Sequence, residues 1–325
     1  MDHFRRSTLN YFSAGALDRS TLLRPRSEWL AARLADPRTR IVPVWRSRNL
    51  LAGESVPRPV LFSPAELGSM GFDCAAAILL GIRSEVAYFA VNLPGDEQAL
   101  SALIPAGASF RELRDVGPLL DADAGSMLAY ARAITYWHER HRHCGDCGAP
   151  TRVAEGGHLR VCSNPDCGQK HFPRTDPAII VLVVHHAAEP GEERCLLGRQ
   201  REWPARLFSA VAGFVEPGES LEDAVVREVA EETGITVTAV HYHSSQPWPF
   251  PSSIMLGFTA SAADDVIQRH DEELAEARWF TRAEIADALL HRRMRVARRV
   301  SIAYRLLEDW FDAGEQGPLA GYLPE

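Results

Sequence analysis

The clearest chemical signal in the sequence comes from three glutamates, Glu228, Glu231 and Glu232. They lie within five residues of one another, in a segment that mixes charged and apolar residues. The surrounding residues, SLEDAVVREVAEETG, predict a helix that begins at Ser220 and ends at Thr233. At about 100° of rotation per residue, Glu228 and Glu232 fall on the stripe that carries the apolar side chains, with Glu231 just beside it. Carboxylates that point towards a core must be paired or bind cations. The pattern therefore predicts a site for a hard cation such as Mg²⁺ or Mn²⁺, with a solvated charged face as the alternative.

This stretch resembles the Nudix box, G-x5-E-x7-R-E-U-x-E-E-x-G-U, in which U is a bulky aliphatic residue. All nine fixed positions over 23 residues are filled, by Gly213, Glu219, Arg227, Glu228, Val229, Glu231, Glu232, Gly234 and Ile235. The resemblance implies a loop-helix-loop that binds divalent metals and hydrolyses a diphosphate linked to another moiety. The spacing of Arg227 and Glu231 predicts an intrahelical ion pair, and the family implies that the arginine also orients the box carboxylates.

A second pattern with metal-ligand spacing consists of four cysteines within 24 residues. They are Cys144, Cys147, Cys162 and Cys167. Two such pairs joined by a hairpin-like insert predict a zinc ribbon, in which four thiolates surround a structural Zn²⁺ ion. Disulfides are the alternative, and the reducing conditions of the cytosol oppose them. We interpret the neighbouring His138, His141 and His143 as exposed helix-end residues rather than ligands.

A third pattern is the segment SQPWPFPSS at Ser245–Ser253, which combines three prolines with two aromatic residues directly after a predicted strand. The prolines are expected to prevent regular structure and to hold Trp248 and Phe250 with little conformational freedom. On composition alone, a hydrophobic edge plug or a dimer contact is the alternative. The segment resembles the SQPWPFPxS signature of the NADH pyrophosphatase branch of Nudix hydrolases, which also carries a zinc ribbon before its box.

The resemblance to this branch extends from about Cys144 to the C-terminus. It implies cleavage of NAD(H) at its pyrophosphate to nicotinamide mononucleotide and AMP and, in some members, removal of the NAD cap from RNA. Both substrates stay open at this point, as does the choice between Mg²⁺ and Mn²⁺. The branch also implies a homodimer in which substrate contacts are shared across the interface.

The family's site residues map onto named positions of this chain. The implied ligands of the catalytic metal are Glu228, Glu231, Glu232, the backbone carbonyl of Ala212, and Glu273, with Glu272 or Glu276 as alternatives to Glu273. The implied substrate-contacting residues are Phe172, Phe214, Gln246, Pro247, Trp248, Pro249, Phe250, Pro251, Ser252, Ser253 and Ala303. Bacterial relatives often have tyrosine where this chain has Phe172, a change that keeps ring stacking and loses a hydroxyl hydrogen bond. As the catalytic base we favour Glu232, with Glu231 second.

Composition limits the remaining possibilities. A chain of 325 residues with 46% hydrophobic content is long enough for two domains and a sizeable core. Its 35 basic and 43 acidic residues give a net charge of −8, which argues against a chain-wide nucleic-acid surface without excluding a local basic patch. The apolar runs are far shorter than the roughly 20 residues of a membrane span, and the N-terminus has no signal-peptide core. We expect a cytoplasmic protein with no membrane partner.

The predicted fold class is α+β, with four consecutive parts. Residues 1–125 form a mixed α+β domain, 126–143 a connecting helix, 144–172 the zinc ribbon, and 173–325 a Nudix domain whose family resemblance implies an α/β/α sandwich. In the first part we predict a helix at Ser27–Ala35 and strands at Ile41–Trp45, Pro59–Phe62, Ala75–Ile82 and Val86–Leu93. In the last part we predict strands at Ala178–Val184, Cys195–Gly198, Leu207–Val215, Val237–His243, Met255–Ala260 and Ala277–Phe280, and helices at Arg282–Leu290 and Val296–Trp310.

Two other functions remain compatible with the sequence. One is a Nudix hydrolase of another nucleotide, such as ADP-ribose or a nucleoside triphosphate, which the SQPWPFP segment argues against. The other is a non-enzymatic module that binds nucleotides or RNA. The complete set of box carboxylates argues against that module, because a pure binding protein has no need of them.

Overall fold

The computed structural model describes residues 1–74, 76–101, 104–186, 193–269 and 273–323. The chain forms two compact units. The first, which we call the catalytic unit, comprises Met1–Asn10, Asp176–Gln246 and Ile254–Glu325. The second, the N-terminal unit, comprises Tyr11–Thr175 and Pro247–Ser253. The division between the units falls after Thr175, and two short segments, Met1–Asn10 and Pro247–Ser253, belong to units that the order of the sequence does not suggest.

The helices are named in chain order. They are α1 (His3–Leu9), α2 (Ser27–Ala35), α3 (Pro64–Ser69), α4 (Glu97–Ser101), α5 (Leu113–Val116), α6 (Ala122–Arg140), α7 (Leu221–Thr233), α8 (Arg282–Leu290) and α9 (Ile302–Asp312). The strands of the N-terminal unit are β1 (Arg40–Trp45), β2 (Arg48–Ala52), β3 (Arg58–Pro59), β4 (Ile78–Arg83), β5 (Val86–Asn92), β6 (Ala108–Arg111), β7 (Thr151–Ala154), β8 (Leu159–Cys162) and β9 (Lys170–His171). The remaining strands are β10 (Asp176–His185), β11 (Arg194–Gln200), β12 (Leu207–Phe208), β13 (Val211–Phe214), β14 (Val237–Trp248), β15 (Ser253–Ala262), β16 (Leu274–Thr281) and β17 (Arg295–Val296).

The N-terminal unit is built on a mixed sheet with the order β3-β2-β1-β5-β4, in which β6 also pairs with β2. Helix α6 packs against β1, β4 and β5, while Trp29 and Leu30 of α2 pack on a separate core cluster with Ile41 and Phe89. The predicted helix α2 is confirmed with both ends in place. The strand predicted at Pro59–Phe62 is observed as the two-residue β3 (Arg58–Pro59), and Phe62 forms an isolated bridge with Ile41 before Ser63 caps α3.

The helix predicted as a connector at 126–143 differs from that prediction in position and in role. It begins at Ala122, because the Asp121 carboxylate accepts a hydrogen bond from the backbone N–H of Ala124 at 2.7 Å, and it ends at Arg140. Its buried face includes Met127 and Ile134. The apolar spacing that indicated a helix is thus the spacing of a face packed on the N-terminal sheet, and α6 belongs to that domain's core.

His138 corrects the expectation of an exposed helix end. It is half-buried, its Nε2–H donates to the carbonyl of Gly157 at 2.7 Å, and its Nδ1 accepts from the Arg160 guanidinium at 2.8 Å. Burial lowers the pKa of His138 to about 4. The same cause lowers the pKa of His158, whose Nε2 donates to the Leu79 carbonyl at 2.7 Å, to about 4. Both rings are therefore neutral in the folded protein near pH 7.

The catalytic unit contains the expected α/β/α sandwich. Its sheet has the order β14-β15-β10-β11-β16, and β13 pairs with β10. Along β10, Ile179 and Val181 pack with the buried residues of α7, whereas Ile180 and Leu182 pack with those of α8 and α9. Because successive strand residues face opposite sides, this one strand contributes to both cores of the sandwich.

Two elements of the catalytic unit extend differently from the prediction. Strand β14 continues to Trp248, through Pro247, where the sequence predicted irregular structure. Since β14 lies at the edge of the sheet, a proline can occupy it without removing a ladder hydrogen bond. Helix α9 begins at Ile302 rather than Val296, because Ser301 caps it and Arg295–Val296 pairs in parallel with Leu207–Phe208.

The first ten residues also differ from the predicted domain boundaries, since they pack within the catalytic unit. Arg6 of α1 forms an ion pair with Asp309 at 3.0 Å. The Asn10 side chain donates to the Ser244 hydroxyl at 3.1 Å and to the Ser245 carbonyl at 2.9 Å. Across the described part of the chain, we find no helix with the length and apolar character needed to cross a bilayer.

We predict that acid weakens the N-terminal unit through its two neutral histidines. An unfolded histidine titrates near pH 6.5, so the folded state with pKa values of about 4 binds fewer protons in this range. Their stabilising effect is complete above pH 6.5 and is lost as the pH falls towards 4. Protonation of each ring in the unfolded state should lower the free energy of unfolding by about 1–2 kcal/mol between pH 7.5 and pH 5.

Chemical denaturation at the two pH values measures this change. A His138→Gln/His158→Gln double variant should lose less than the parent, and an equal loss would contradict the assignment.

Candidate active site

Helix α7 is fixed at both ends by the residues that the sequence singled out. The Ser220 hydroxyl accepts a hydrogen bond from the Asp223 backbone N–H at 3.1 Å. At the other end Gly234 adopts a left-handed φ of 73°, and a β-carbon there would lie 2.6 Å from the carbonyl oxygen of Gln268. Val225 and Val229 are fully buried against the sheet. These constraints set both the register and the rotation of the helix that carries the glutamates.

A close approach between α7 and β13 explains the first glycine of the box. A β-carbon on Gly213 would overlap the carboxylate of Glu228. The side chain of Glu228 therefore lies directly on the backbone of β13, next to Ala212, which pairs with Ile180 in the sheet. Only glycine leaves room for this contact.

Arg227 joins the box residues into one hydrogen-bonded network. Its guanidinium donates twice to the Glu219 carboxylate, at 2.7 and 2.9 Å. It also donates to Glu228 at 2.9 Å, to Glu231 at 3.0 Å and to the Phe214 carbonyl at 3.0 Å. These bonds hold the pKa of Glu219 at about 2 and raise that of Arg227. The predicted Arg227–Glu231 ion pair is confirmed, and the arginine orients two further carboxylates.

The electrostatics of Glu228 favour a cation. Burial raises its pKa, Arg227 opposes that rise, and the negative charges of Glu231 and Glu273 add to it. Glu273 thus lies close enough to act on Glu228, whereas Glu276 pairs with Arg199 at 3.7 Å. Glu272, the other alternative for the distal ligand, lies outside the described residues. The set offers hard oxygen donors with more negative charge than one arginine can neutralise, and this fits Mg²⁺ or Mn²⁺.

The glutamate oxygens are nevertheless spread apart. Among the described residues, the one group of three or more Asp, Glu, His or Cys ligands whose donor atoms lie within 4.8 Å of one another is the cysteine cluster. Glu232 is 3% exposed, as its position on the apolar stripe predicted, whereas the Glu231 side chain is 57% exposed. Mutual repulsion favours this separation of like charges.

The four predicted zinc ligands do converge. The Sγ atoms of Cys144 and Cys167 are 3.8 Å apart, and those of Cys147 and Cys162 are 3.4 Å apart. Tetrahedral Zn²⁺ with Zn–S bonds of about 2.3 Å needs sulfur–sulfur distances of about 3.8 Å, so the cluster fits the ion. Both sulfur–sulfur distances are well above the roughly 2.05 Å of a disulfide bond, so the arrangement favours zinc over the disulfide alternative. His171, which the sequence analysis missed, places Nε2 3.3 Å from the Cys144 sulfur.

Within the N-terminal unit, two arginines hold the proline- and aromatic-rich segment. Arg132 of α6 donates from Nε to the Pro249 carbonyl at 2.6 Å, and its guanidinium lies 4.9 Å from the centroid of the Phe250 ring. Arg114 lies 4.8 Å from the same centroid. Arg132 is 8% exposed, and a cavity of about 400 Å³ lies beside it, lined by Glu112, Arg114, Asp115, Arg132, Phe250 and Pro251. In the sequence, the role of Arg132 could have been suspected only because it is a single arginine on the apolar face of a predicted helix.

The predicted substrate-contacting residues differ widely in exposure. Phe172 and Phe214 are 61% and 62% exposed, which is unusual for large aromatic side chains and suits a stacking surface. Pro247 and Pro251 are exposed, Trp248, Phe250, Ser252 and Ser253 are half-buried, and Pro249 is buried. Phe172 and residues 247–253 belong to the N-terminal unit, and the others belong to the catalytic unit.

Gln246 corrects the prediction of a substrate-lining side chain. It is completely buried. Its amide donates to the Val300 carbonyl at 2.8 Å, and its oxygen accepts from the Ile302 N–H at 2.7 Å. The side chain therefore supports the start of α9, whose Ala303 is itself buried, and it is not presented to solvent.

Comparison with known proteins agrees with this geometry. Three family descriptions match the chain: NUDIX domain at residues 176–302, NADH pyrophosphatase-like rudimentary NUDIX domain at 38–137, and NADH pyrophosphatase zinc ribbon domain at 139–172. The NAD-capped RNA hydrolases NUDT12 of Macaca fascicularis and Homo sapiens are 33% identical, and each match covers 93% of this chain and 73% of the relative. The NAD-capped RNA hydrolase NudC of Mycobacterium bovis is 43% identical over 64% of this chain and 66% of its own length.

The match over nearly the whole chain, the complete box and the four-cysteine ribbon lead to one assignment. The chain belongs to the Nudix hydrolase family, in the branch that carries the NADH pyrophosphatase zinc ribbon.

Proposed function

We propose that the protein hydrolyses the pyrophosphate of NAD(H) to nicotinamide mononucleotide and AMP, and that it also removes NAD caps from RNA. The observation that carries the proposal is 33% identity across 93% of the chain to proteins named NAD-capped RNA hydrolases. Arg227, which joins Glu219, Glu228 and Glu231 in one network, supports a hydrolytic role. The implied homodimer and cytoplasmic location are further parts of the proposal.

The proposed metal ligands are all in the catalytic unit. They are the carbonyl of Ala212 and the carboxylates of Glu228, Glu231, Glu232 and Glu273. When bound, Mg²⁺ or Mn²⁺ would offset the charge of the pyrophosphate and increase the acidity of an attacking water. Arg227 holds Glu228 and Glu231 in position for this, and Gly213 lets Glu228 approach the backbone of β13.

Glu232 is our proposed base, which would accept a proton from the attacking water. It lies on the same helix as Glu228, one turn further on, and both side chains continue the stripe of Val225. Glu231 is largely exposed, whereas Glu232 is buried. This difference in exposure favours Glu232 over Glu231 for proton transfer.

Recognition of the dinucleotide is assigned to aromatic surfaces. Phe172 and Phe214 are exposed and can stack on a base or on nicotinamide, a contact that contributes about 1–3 kcal/mol. The proposed metal site would interact only with the pyrophosphate, which ADP-ribose and NADH share. Discrimination must therefore come from the groups attached to it.

The proposed activity is tested by incubating the protein with NADH and either Mg²⁺ or Mn²⁺, and separating the products by chromatography. We expect nicotinamide mononucleotide and AMP in equal amounts, and slower hydrolysis of ADP-ribose. Faster cleavage of ADP-ribose would replace the proposed substrate. Absence of any hydrolysis would favour a nucleotide-binding module.

Replacing Glu232 with glutamine keeps its size and removes its charge. We expect kcat on NADH to fall by about 10²–10⁴, the range for loss of a general base, with an unchanged far-ultraviolet circular dichroism spectrum. Glu222→Gln is the matched control, because Glu222 is an exposed residue in the first turn of the same helix. Near-normal turnover of the Glu232 variant would refute its assignment as base.

Replacing Arg132 with lysine keeps the charge but removes the Nε donor that binds the Pro249 carbonyl. We expect the KM for NADH to rise by about tenfold while kcat stays within about threefold, because the segment loses its position and the carboxylates do not. Arg48→Lys is the control, since Arg48 pairs with the same Glu112 at 3.2 Å. Equal effects of the two substitutions would mean that Arg132 acts only through the ion pair.

Loss of one cysteine ligand should empty the ribbon. We expect Cys144→Ser and Cys162→Ser to lower zinc content, measured by elemental analysis, well below one ion per chain. Both variants should also be less stable, since structural Zn²⁺ contributes on the order of 10 kcal/mol in small modules. Cys74→Ser removes a thiol outside the cluster and should leave the zinc content unchanged. Full zinc content in both ligand variants would disprove the four-thiolate site.

A further inference from the structure

A basic cavity of about 860 Å³ lies within the catalytic unit and is not part of the carboxylate site. Its rim carries five arginines, Arg206, Arg292, Arg295, Arg298 and Arg299. None of the described residues that line it is acidic. In a chain with a net charge of −8, this concentration of positive charge is a local exception, and it implies an anionic ligand.

The floor of the cavity is apolar. Met294 and Val296 are buried and contribute to it together with Leu289, Tyr322 and Leu323. The Tyr322 hydroxyl donates to the Gln316 carbonyl at 2.6 Å, and its ring packs edge-on against Phe311 with 5.6 Å between centroids. The aromatic ring is thus held by contacts at two sides. A ligand for this cavity must combine negative charges with flat or apolar groups.

The backbone of the rim is unusual at two of its arginines. Arg206 and Arg292 both have positive φ values, 71° and 53°, in a region that glycine or asparagine occupies more readily. The two loops are tied together, because the Arg206 guanidinium donates to the Arg292 carbonyl at 3.0 Å and the Arg295 N–H donates to the Arg206 carbonyl at 2.7 Å. The Arg206 side chain thus helps to fix the two loops that carry the rim.

One neighbouring arginine shows that the charge at the rim is specific to certain positions. Arg293 lies between two rim residues in the sequence but forms an ion pair with Asp287 and does not line the cavity. The Asp287 carboxylate neutralises the charge of Arg293, which lies outside the rim. Arg293 therefore provides a natural comparison within the same segment.

We propose that this cavity binds the single-stranded RNA that follows the NAD cap. Single-stranded nucleic acids supply one negative charge per nucleotide for the arginines and bases that pack on apolar and aromatic side chains. A free mononucleotide carries too few charges to engage five arginines. The inference rests on the proposed function, because it assigns the chain attached to that substrate. Arg299 precedes Ala303, a proposed substrate contact, by four residues, so their Cα atoms lie within about 14 Å.

The test compares two substrates that share the cap chemistry. Initial rates are measured with NADH and with an NAD-capped RNA of about ten nucleotides, for the full chain and for Arg295→Gln, Arg298→Gln and the double variant. We expect each single substitution to reduce kcat/KM on the capped RNA by about 3- to 10-fold and to leave that on NADH within about twofold. The slope of log kcat/KM against log salt concentration on the capped RNA should become shallower by about 0.7 for each phosphate that the variant no longer binds. Arg293→Gln makes the same change in net charge and should have no effect on either substrate.

The contribution of the floor is tested separately. Tyr322→Phe keeps the ring and should preserve activity on the capped RNA, whereas Tyr322→Leu should lower it by about fivefold with unchanged activity on NADH. Unchanged capped-RNA kinetics in the Arg295→Gln/Arg298→Gln variant would overturn the proposal. A parallel loss on NADH and capped RNA would also overturn it, because the arginines would then support the fold or the catalytic site.

Competition and direct binding separate this proposal from its alternatives and from the proposed function. Uncapped oligouridylate should inhibit hydrolysis of capped RNA more strongly than hydrolysis of NADH, and a polyglutamate peptide should not. Competition by polyglutamate alone would identify an acidic protein segment as the occupant and reject RNA. If the protein hydrolyses neither substrate, the proposed function fails. Fluorescence anisotropy with labelled oligouridylate then still tests whether the cavity binds RNA. We expect binding to be lost in the double variant and kept in Arg293→Gln.

Discussion

The site depends on keeping several carboxylates together on one face of a helix that also packs against the core. Arg227 makes this arrangement possible. It binds Glu219 with two hydrogen bonds and reaches Glu228 and Glu231 with a third and fourth. A bidentate arginine is better suited to this than lysine, because its planar fork fixes the direction of each bond. The single positive charge of Arg227 therefore orients the carboxylates without neutralising all of them. The remaining negative charge favours the binding of cations.

Local sequence signals predicted the parts of this site that depend on neighbouring residues. The helix α7, its caps and the buried face of Glu232 follow from spacing, and the cysteine cluster follows from two short pairs. Gln246 shows that local sequence signals do not predict contacts between residues that are distant in the sequence. Its side chain bonds to Val300 and Ile302, more than fifty residues away, so only the folded chain reveals that it supports α9. Proline at 247 was misleading for a related reason, since its effect depends on β14 being an edge strand.

The proline- and aromatic-rich segment gives the N-terminal unit a physical role that its own sequence did not suggest. The chain from 247 to 253, where β14 ends and β15 begins, is counted with the other unit. There Arg132 and Arg114 flank the Phe250 ring. Burying Arg132 is costly unless its hydrogen bonds are satisfied, and the bond to Pro249 and the ion pair with Glu112 satisfy it. The N-terminal unit can thus fix the position of this segment.

The proposed substrate, an NAD-capped RNA, presents an acidic chain with an electrostatic problem at two places. At the pyrophosphate, bound cations can reverse the local sign over a few ångströms, where carboxylates alone would repel the substrate. They cannot attract a longer RNA chain, because screening at physiological salt limits their influence to about 8 Å. The arginines that line the basic cavity are a second source of positive charge, which can attract phosphates further along the chain. The cavity lined by Arg206, Arg292, Arg295, Arg298 and Arg299, together with the glutamates on α7, is the arrangement that this reasoning requires.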